Sequence, residues 1–331
     1  MRWRPSARLP PPPGRRRRND DRAPMTLLLR DWHDLPDSVR GATVALGNFD
    51  GMHRGHRAVL ATAHAARPEL PLAALTFEPH PREHFRPGDP PFRLTLLPAK
   101  LAQLASLGCA FVLALPFDET LAAMPAEAFV RDVLHGALGA KHLSCGMDFA
   151  FGHRRGGDAA FLSHHAGQLG MGVTLVPPVS DEEGPLSSSR IRRVLQDGYP
   201  ERATRKLGRP WEIVGPVTHG DKRGRTIGFP TANVPLGRHL EPARGVYAVQ
   251  VVLPDGRVAG GVANIGARPT VGGTESRVEA HLFDFAGDLY GQEVGVRLLH
   301  FLRPEKRFSG LPELTAQIAA DADSARSLLG L

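Results

Sequence analysis

From Met25 to about Ala203, short apolar runs alternate with stretches of helical spacing. Thr43–Leu46, Leu72–Phe77 and residues 110–115, 142–145 and 173–176 read as strands. Between them, 57–66, 99–107, 126–138 and 158–169 carry apolar residues at helical intervals. Strands alternating with helices predict βαβ units and a parallel sheet, which binds ligands at the carboxyl ends of its strands. From Pro210 the pattern changes to short strands punctuated by Gly, Pro and Asp-Gly. Residues 245–253 and 257–262 flank Pro254-Asp255-Gly256 as a hairpin, and 278–285 and 294–301 are further strands. This half predicts an antiparallel barrel or sandwich. Residues 311–329 then return to helical periodicity, with Pro312 in the first turn. The junction falls near 203–208, which divides the chain into 25–203 and 208–331. A length of 331 residues suits two such domains.

The charge changes this picture only at the N-terminus. Residues 1–24 hold eight arginines and two aspartates, so they carry +6 of the chain's net +7. The body is close to neutral and offers no nucleic-acid face. Pro10 to Pro13 and Arg15 to Arg18 give the tail no foldable pattern, so it is expected to be disordered. Met25 would also serve as the start of the first ordered segment. No apolar run approaches the roughly 20 residues of a membrane span, so no membrane partner is expected. Two cysteines, Cys109 and Cys145, make no disulfide framework or metal spacing and read as reduced thiols of a cytoplasmic protein.

Candidate chemistry begins after the first strand. Gly47-Asn48-Phe49-Asp50-Gly51-Met52-His53-Arg54-Gly55-His56 is a glycine-punctuated turn leading into a helix. Helix N-termini present unpaired N–H groups that favour phosphate, and His53 and His56 are close enough in sequence to share a face. A second phosphate candidate is Leu186-Ser187-Ser188-Ser189-Arg190-Ile191-Arg192. One serine would be an ordinary N-cap. Three hydroxyls and Arg192 on one turn suit the distal phosphates of a nucleotide.

Together these stretches resemble the nucleotidyltransferase superfamily marked by His-x-Gly-His. Thr76-Phe77-Glu78-Pro79-His80-Pro81 and Gly146-Met147-Asp148-Phe149-Ala150-Phe151-Gly152 narrow the resemblance to the FAD synthetase module of bacterial bifunctional riboflavin kinase/FAD synthetases. That family usually has threonine where Ser189 stands, and the hydroxyl is retained. The resemblance implies a Rossmann-like domain that transfers an adenylyl group from ATP to FMN, giving FAD and pyrophosphate. It implies that His53 and His56 stabilise the transition state. Gly47, Asn48, Phe49 and Asp50 would shape the ATP site, with Ser187, Ser188, Ser189 and Arg192 on the distal phosphates. Asp148 and His80 would border the flavin. His80 reads equally as a hydrogen-bonded loop histidine, and Phe149 and Phe151 as core aromatics.

The second half holds Thr218-His219-Gly220-Asp221-Lys222-Arg223-Gly224-Arg225 followed by Thr226-Ile227-Gly228-Phe229-Pro230-Thr231-Ala232-Asn233. Gly220, Lys222, Gly224 and Arg225 fit a phosphate cradle that is not a Walker loop. Thr231 and Asn233, two apart on an extended segment, face one way and offer hard oxygen donors for Mg²⁺. Gly-Phe-Pro-Thr-Ala-Asn resembles the hallmark of riboflavin kinases, which implies an antiparallel β-barrel ending in a helix. In Arg277-Val278-Glu279-Ala280-His281, alternation leaves Glu279 opposite the core face. The resemblance makes Glu279 the general base for the ribityl hydroxyl and Asn264 its support. The whole reading is riboflavin to FMN to FAD, with ATP and Mg²⁺ at both steps. Deleting residues 1–24 is expected to leave both activities unchanged in a chromatographic product assay. Loss of either, with salt-dependent nucleic-acid binding by the chain, would make the tail functional.

Overall fold

The computed structural model describes residues 26–219, 229–270 and 273–331. The basic tail and the expected cradle at Gly220, Lys222, Gly224 and Arg225 lie outside the described residues. The first half runs β1 (Leu27–Leu29), β2 (Thr43–Leu46), α1 (Arg54–Ala66), β3 (Leu72–Phe77), α2 (Pro81–Phe85), α3 (Leu97–Ser106) and β4 (Phe111–Leu115). It continues with α4 (Glu119–Ala123), α5 (Ala126–Ala128), β5 (His142–Gly146), β6 (Ala150–Phe151), β7 (Gly157–Asp158), α6 (Ala159–Gln168) and β8 (Gly172–Val176). A small hairpin, β9 (Ser180–Asp181) and β10 (Gly184–Pro185), precedes α7 (Ser188–Gln196) and α8 (Pro200–Leu207). The expected helix over 126–138 forms, but Phe129–Ala137 is wound as π-helix.

Six strands make one parallel sheet in the order β1-β4-β3-β2-β5-β8. Residues on β2, β3 and β4 are buried throughout because helices cover both faces. Ala45, Ala74 and Val112 pack on one face with Leu60 and Leu104. Val44, Leu75 and Leu113 pack on the other with Val133 and Leu162. The strand order reverses between β2 and β5, so a crevice opens beyond their carboxyl ends.

The second half comprises β11 (Trp211–Pro216), β12 (Ala232–Pro235), β13 (Gly245–Val252), β14 (Val258–Thr270), β15 (Gly273–Leu282), β16 (Glu293–Pro304) and α9 (Leu311–Leu329). The strands pair antiparallel in the order β11-β16-β13-β14-β15-β12. The two edges nearly close into a barrel where the Thr218 N–H donates to the Asn233 carbonyl at 2.8 Å. The expected strand over 278–285 stops earlier, at Leu282, because Asp284 turns into the left-handed region (φ 52°) and gives its carboxylate to Arg326 of α9. The final helix starts and ends where its periodicity placed it. Ala322 and Ala325 seat it against Val246, Ala248 and Phe283 on the barrel's outer side.

The two halves share buried surface. Leu94, Ile191, Val194, Leu195, Ala203 and Leu207 join the barrel interior around Trp211 and Tyr247. The segment from Phe92 to Thr95 is the strap between them. Its backbone exchanges hydrogen bonds with Arg238 and Leu240 of the barrel. Trp211 Nε1 donates to the Leu94 carbonyl at 2.8 Å, fully buried. Trp211→Phe removes that donor and leaves a buried carbonyl unpaired. It is expected to cost about 1–3 kcal/mol in a denaturant titration.

Candidate active sites

The crevice at the strand reversal is a cavity of about 770 Å³. The turn from β2 to α1 forms one wall. Phe49, Gly51 and Met52 all have positive φ (52°, 88° and 47°). Such a conformation is costly for a phenylalanine and a methionine, and complete burial of both side chains holds it in place. Gly51 is required twice over, since a Cβ there would also lie 2.9 Å from the Leu94 side chain. Gly47, Asn48, Asp50, His53 and His56 line the cavity. Phe49 does not. Its ring lies beneath the turn, against Gly47 and edge-on to His56 at 5.4 Å, so its part is packing rather than contact with a nucleotide.

His53 caps α1, its Nδ1 accepting the His56 N–H at 3.3 Å. An accepting Nδ1 leaves the proton on Nε2. The two imidazoles stack with centroids 3.7 Å apart. Burial pushes His53 down to about 4, only partly offset by Asp50 and Asp148. His56 is held well below the ordinary range by burial, then by His53 and Lys100. Both rings are therefore neutral donors near pH 7. His80 is a hydrogen-bonded capping residue that also faces the cavity. It caps α2, with Nδ1 accepting from Arg82 N at 3.1 Å and Glu83 accepting its own N–H, and its ring lines the cavity. Burial lowers it to about 4 as well.

The serine-rich turn faces this wall. Ser187 caps α7 by accepting from Arg190 N. Ser188 Oγ donates to the Asp50 carbonyl at 2.8 Å. Ser189 is exposed at the cavity, and its hydroxyl has no hydrogen-bond partner among the described residues. Arg192 donates to Asp50 Oδ2 at 2.6 Å and to the Phe92 carbonyl at 2.8 Å. Asp148, beyond β5, lines the opposite side with Phe149 and Phe151. Those two rings stack at 5.5 Å, and Phe151 is also buried in the core.

Beneath the turn lies a buried ionic layer that sequence patterning missed. Arg93, 1% exposed, pairs with Glu78 at 2.7 Å and Glu83 at 2.9 Å. Lys100, 0% exposed, donates to the Asn48 carbonyl at 2.9 Å and to Thr76 Oγ1 at 3.3 Å. One signal for Lys100 was available. It takes an inward position on α3, one turn before the buried Leu104.

A second constellation sits on the barrel. Strand register sets Asn233 opposite Glu279, and Glu279 opposite Asn264. Asn233 is buried, and its Nδ2 faces Thr231 Oγ1 and the Thr231 carbonyl at 3.5 and 3.4 Å. Val278, Ala280 and Leu282 point inward as expected, leaving Glu279 and His281 on the other face. His281 Nδ1 donates to the Pro230 carbonyl at 2.9 Å. Asn233, Asn264 and Glu279 thus meet on three adjacent strands, with Thr231 just before the first of them.

Four histidines, the buried His53 and His239 and the half-buried His56 and His80, have folded-state pKa values depressed by burial. The unfolded chain protonates them near 6.5 while the folded one does not, so the unfolded state binds more protons as pH falls. Stability is expected to be full above about pH 6.5 and to decline towards pH 4, read as a falling thermal midpoint. His80→Gln should make that decline shallower.

The chain matches the family model for FAD synthetase over residues 35–190 and that for riboflavin kinase over residues 207–329. The bifunctional riboflavin kinase/FMN adenylyltransferase of Escherichia coli K12 is 43% identical over 307 residues, covering 92% of this chain and 98% of that protein. The enzyme of the same name from Bacillus subtilis is 38% identical, covering 88% and 94%. A solved Streptococcus pneumoniae structure, described as a macrolide-efflux protein, has a TM-score of 0.82 at 33% identity, covering 91% of this chain and 99% of its own. That description belongs to the Streptococcus protein; among the described residues here, no helix is long and apolar enough to cross a membrane. Two matched modules in one chain, with relatives 43% and 38% identical along nearly their whole length, place this protein in the bifunctional riboflavin kinase/FMN adenylyltransferase family.

Proposed function

We propose that the barrel phosphorylates riboflavin to FMN and that the sheet domain then adenylates FMN to FAD, ATP serving both steps. The observation that carries this reading is the pair of separate polar clusters, one at the sheet reversal and one on β12, β14 and β15. The working division is 25–203 for the adenylyltransferase and 208–331 for the kinase. The expected junction falls in the last turns of α8 and its left-handed Gly208 cap. Cys109 and Cys145 are buried free thiols that burial pushes up to about 12, which suits a cytoplasmic enzyme.

In the sheet domain, an FMN phosphate oxygen attacks the α-phosphorus of ATP. The new P–O bond forms as the bond to the β-phosphate oxygen breaks, and pyrophosphate leaves. No covalent enzyme intermediate is required, so the residues position groups and stabilise charge. His53 Nε2–H and His56 are neutral donors for the charge that develops at the α-phosphate. Ser189 and the free edge of Arg192 suit the departing phosphates. Ser187 and Ser188 act mainly by fixing the turn. Asp148 and His80 border the flavin side of the cavity.

In the barrel, Glu279 accepts the proton of the ribityl 5′-hydroxyl as its oxygen attacks the γ-phosphorus, and ADP leaves. Asn264 orients Glu279 across the strand pair. Thr231, Asn233 and Glu279 offer hydroxyl, amide and carboxylate oxygens, a set that fits Mg²⁺. Among the described residues no cluster of three His, Cys, Asp or Glu could hold a metal alone, in keeping with an ion that takes most of its shell from phosphate and water. When bound, such an ion supplies charge neutralisation at the transferring phosphate.

His53→Ala or His56→Ala is expected to lower FAD formation from FMN by about 10²-fold or more, with riboflavin phosphorylation unchanged. Glu279→Gln or Asn233→Ala should abolish FMN formation yet leave FAD formation from supplied FMN. Product chromatography with each flavin reads both outcomes. Loss of both reactions in a folded His53→Ala chain would refute separate sites.

A further inference from the structure

Lys100 is the one lysine wholly enclosed beneath the adenylyltransferase wall, at 0% exposure among the described residues. Burying an ammonium is costly unless it is paired and hydrogen-bonded. Its closest carboxylate is Glu78 at 3.8 Å, and Glu78 is already committed to Arg93 through two shorter contacts of 2.7 and 3.1 Å. Its close bonds go instead to neutral groups, the Asn48 carbonyl and Thr76 Oγ1. Thr76 Oγ1 donates to the same Asn48 carbonyl at 3.0 Å. Two donors therefore converge on one carbonyl, and that carbonyl belongs to the residue between Gly47 and Phe49. A buried hydrophobic residue at position 100 would satisfy packing. A charged donor at this carbonyl is an arrangement that packing alone does not need.

We propose that Lys100 is a positioning residue for adenylyl transfer: its ammonium holds the Asn48 carbonyl turned away from the cavity and so fixes the left-handed turn that presents Asn48, Asp50, His53 and His56 to the phosphates. A charge-assisted bond is about twice as strong as a neutral one, which suits a turn that must keep Phe49 and Met52 in a disfavoured backbone region. The same charge disfavours protonation of His56 and so keeps that ring in its neutral state. Among the described residues the hydrogen bonds of Lys100 go to Asn48 and Thr76, so adenylyl transfer is the reaction that depends on it.

Several titratable groups face the ammonium: Arg93 on the strap, Glu78 after β3, Asp50 on the turn, His80 at the cap of α2, Glu83 on α2, and His56 on α1. Burial and Arg93 lower Lys100 to about 8, against the pull of Glu78, Asp50 and Glu83. The sign separates positioning from stability. Between about pH 8 and 10.5 the unfolded chain holds the Lys100 proton and the folded one does not, so this group makes the fold more stable as pH rises. Loss of the charge-assisted bond over the same range makes adenylyl transfer slower. Activity and stability should therefore diverge.

This inference rests on the adenylyltransferase reading, which is tested first by showing that the wild-type chain converts FMN and ATP to FAD. If it does not, that reading fails before Lys100 is at issue. Lys100→Met is then compared with Thr76→Val, which removes the second donor and leaves the ammonium. Expected for Lys100→Met is a kcat for FAD formation at least tenfold lower, a KM for FMN changed less than threefold, and riboflavin phosphorylation retained as an internal control of folding. Wild type and Thr76→Val should lose kcat above about pH 8 without loss of thermal midpoint, and Lys100→Met should show no such alkaline limb. Thr76→Val should itself lower kcat about threefold. A wild-type kcat in Lys100→Met, an alkaline limb that persists in it, or an unchanged kcat in Thr76→Val would overturn the proposal. If Lys100→Met does not fold, the Thr76→Val kcat and the wild-type divergence of activity from stability decide alone.

Discussion

The Asp50 carboxylate, 1% exposed, is the constraint on which the adenylyltransferase half depends. One oxygen accepts the Leu94 and Thr95 N–H groups at 2.9 and 3.0 Å, and the other accepts Arg192 at 2.6 Å. Three segments distant in sequence, the turn after β2, the strap before α3 and the first turn of α7, are thereby locked to one side chain. A carboxylate so deeply buried is tolerable only because each oxygen is met by strong donors. Removing it would leave one nitrogen of Arg192 and two backbone amides without partners together. The serine-rich turn belongs to the same element as Arg192, so the two walls of the candidate site are aligned by this one group.

The strap carries that constraint into the barrel. Leu94 donates its N–H to Asp50 and offers its carbonyl to Trp211. Its side chain packs with the barrel interior. Arg238 of the barrel reaches Glu83 at 2.6 Å, and Glu83 also caps α2 and pairs with Arg93. The ion pairs around Arg93 are buried, so they specify one relative placement of the halves more than they add stability. Asn233 lies on β12, whose chain runs on into Arg238 and Leu240 at this joint, whereas Asn264 and Glu279 lie on β14 and β15.

Much of the candidate chemistry was legible because it is local. His53 and His56 are three residues apart on one helix start, and Thr231 and Asn233 are two apart on one extended segment. Helix and strand periods alone bring such pairs together. The parallel and antiparallel halves were readable for the same reason, since the alternation and the turn residues differ between them. Less local parts were not readable. β1 is only three residues long and finds its place by pairing with β4, a strand more than eighty residues away. The π-wound stretch over Phe129–Ala137 follows a sequence with ordinary helical spacing, and no feature of that sequence accounts for it.

The sequence by itself determined which residue types could meet phosphate and flavin, and in which two halves they lie. Tertiary structure decided which of them are free to do so. Ser188 and one edge of Arg192 are bound to Asp50, Phe49 is beneath the turn, and Ser189 remains open to the cavity. It also decided that Glu279 faces both Asn233 and Asn264, a matter of strand register that no local period encodes. The buried ions Arg93 and Lys100 were the hardest to foresee. Charged residues go to water by default, and only partners contributed by other segments make their burial tolerable.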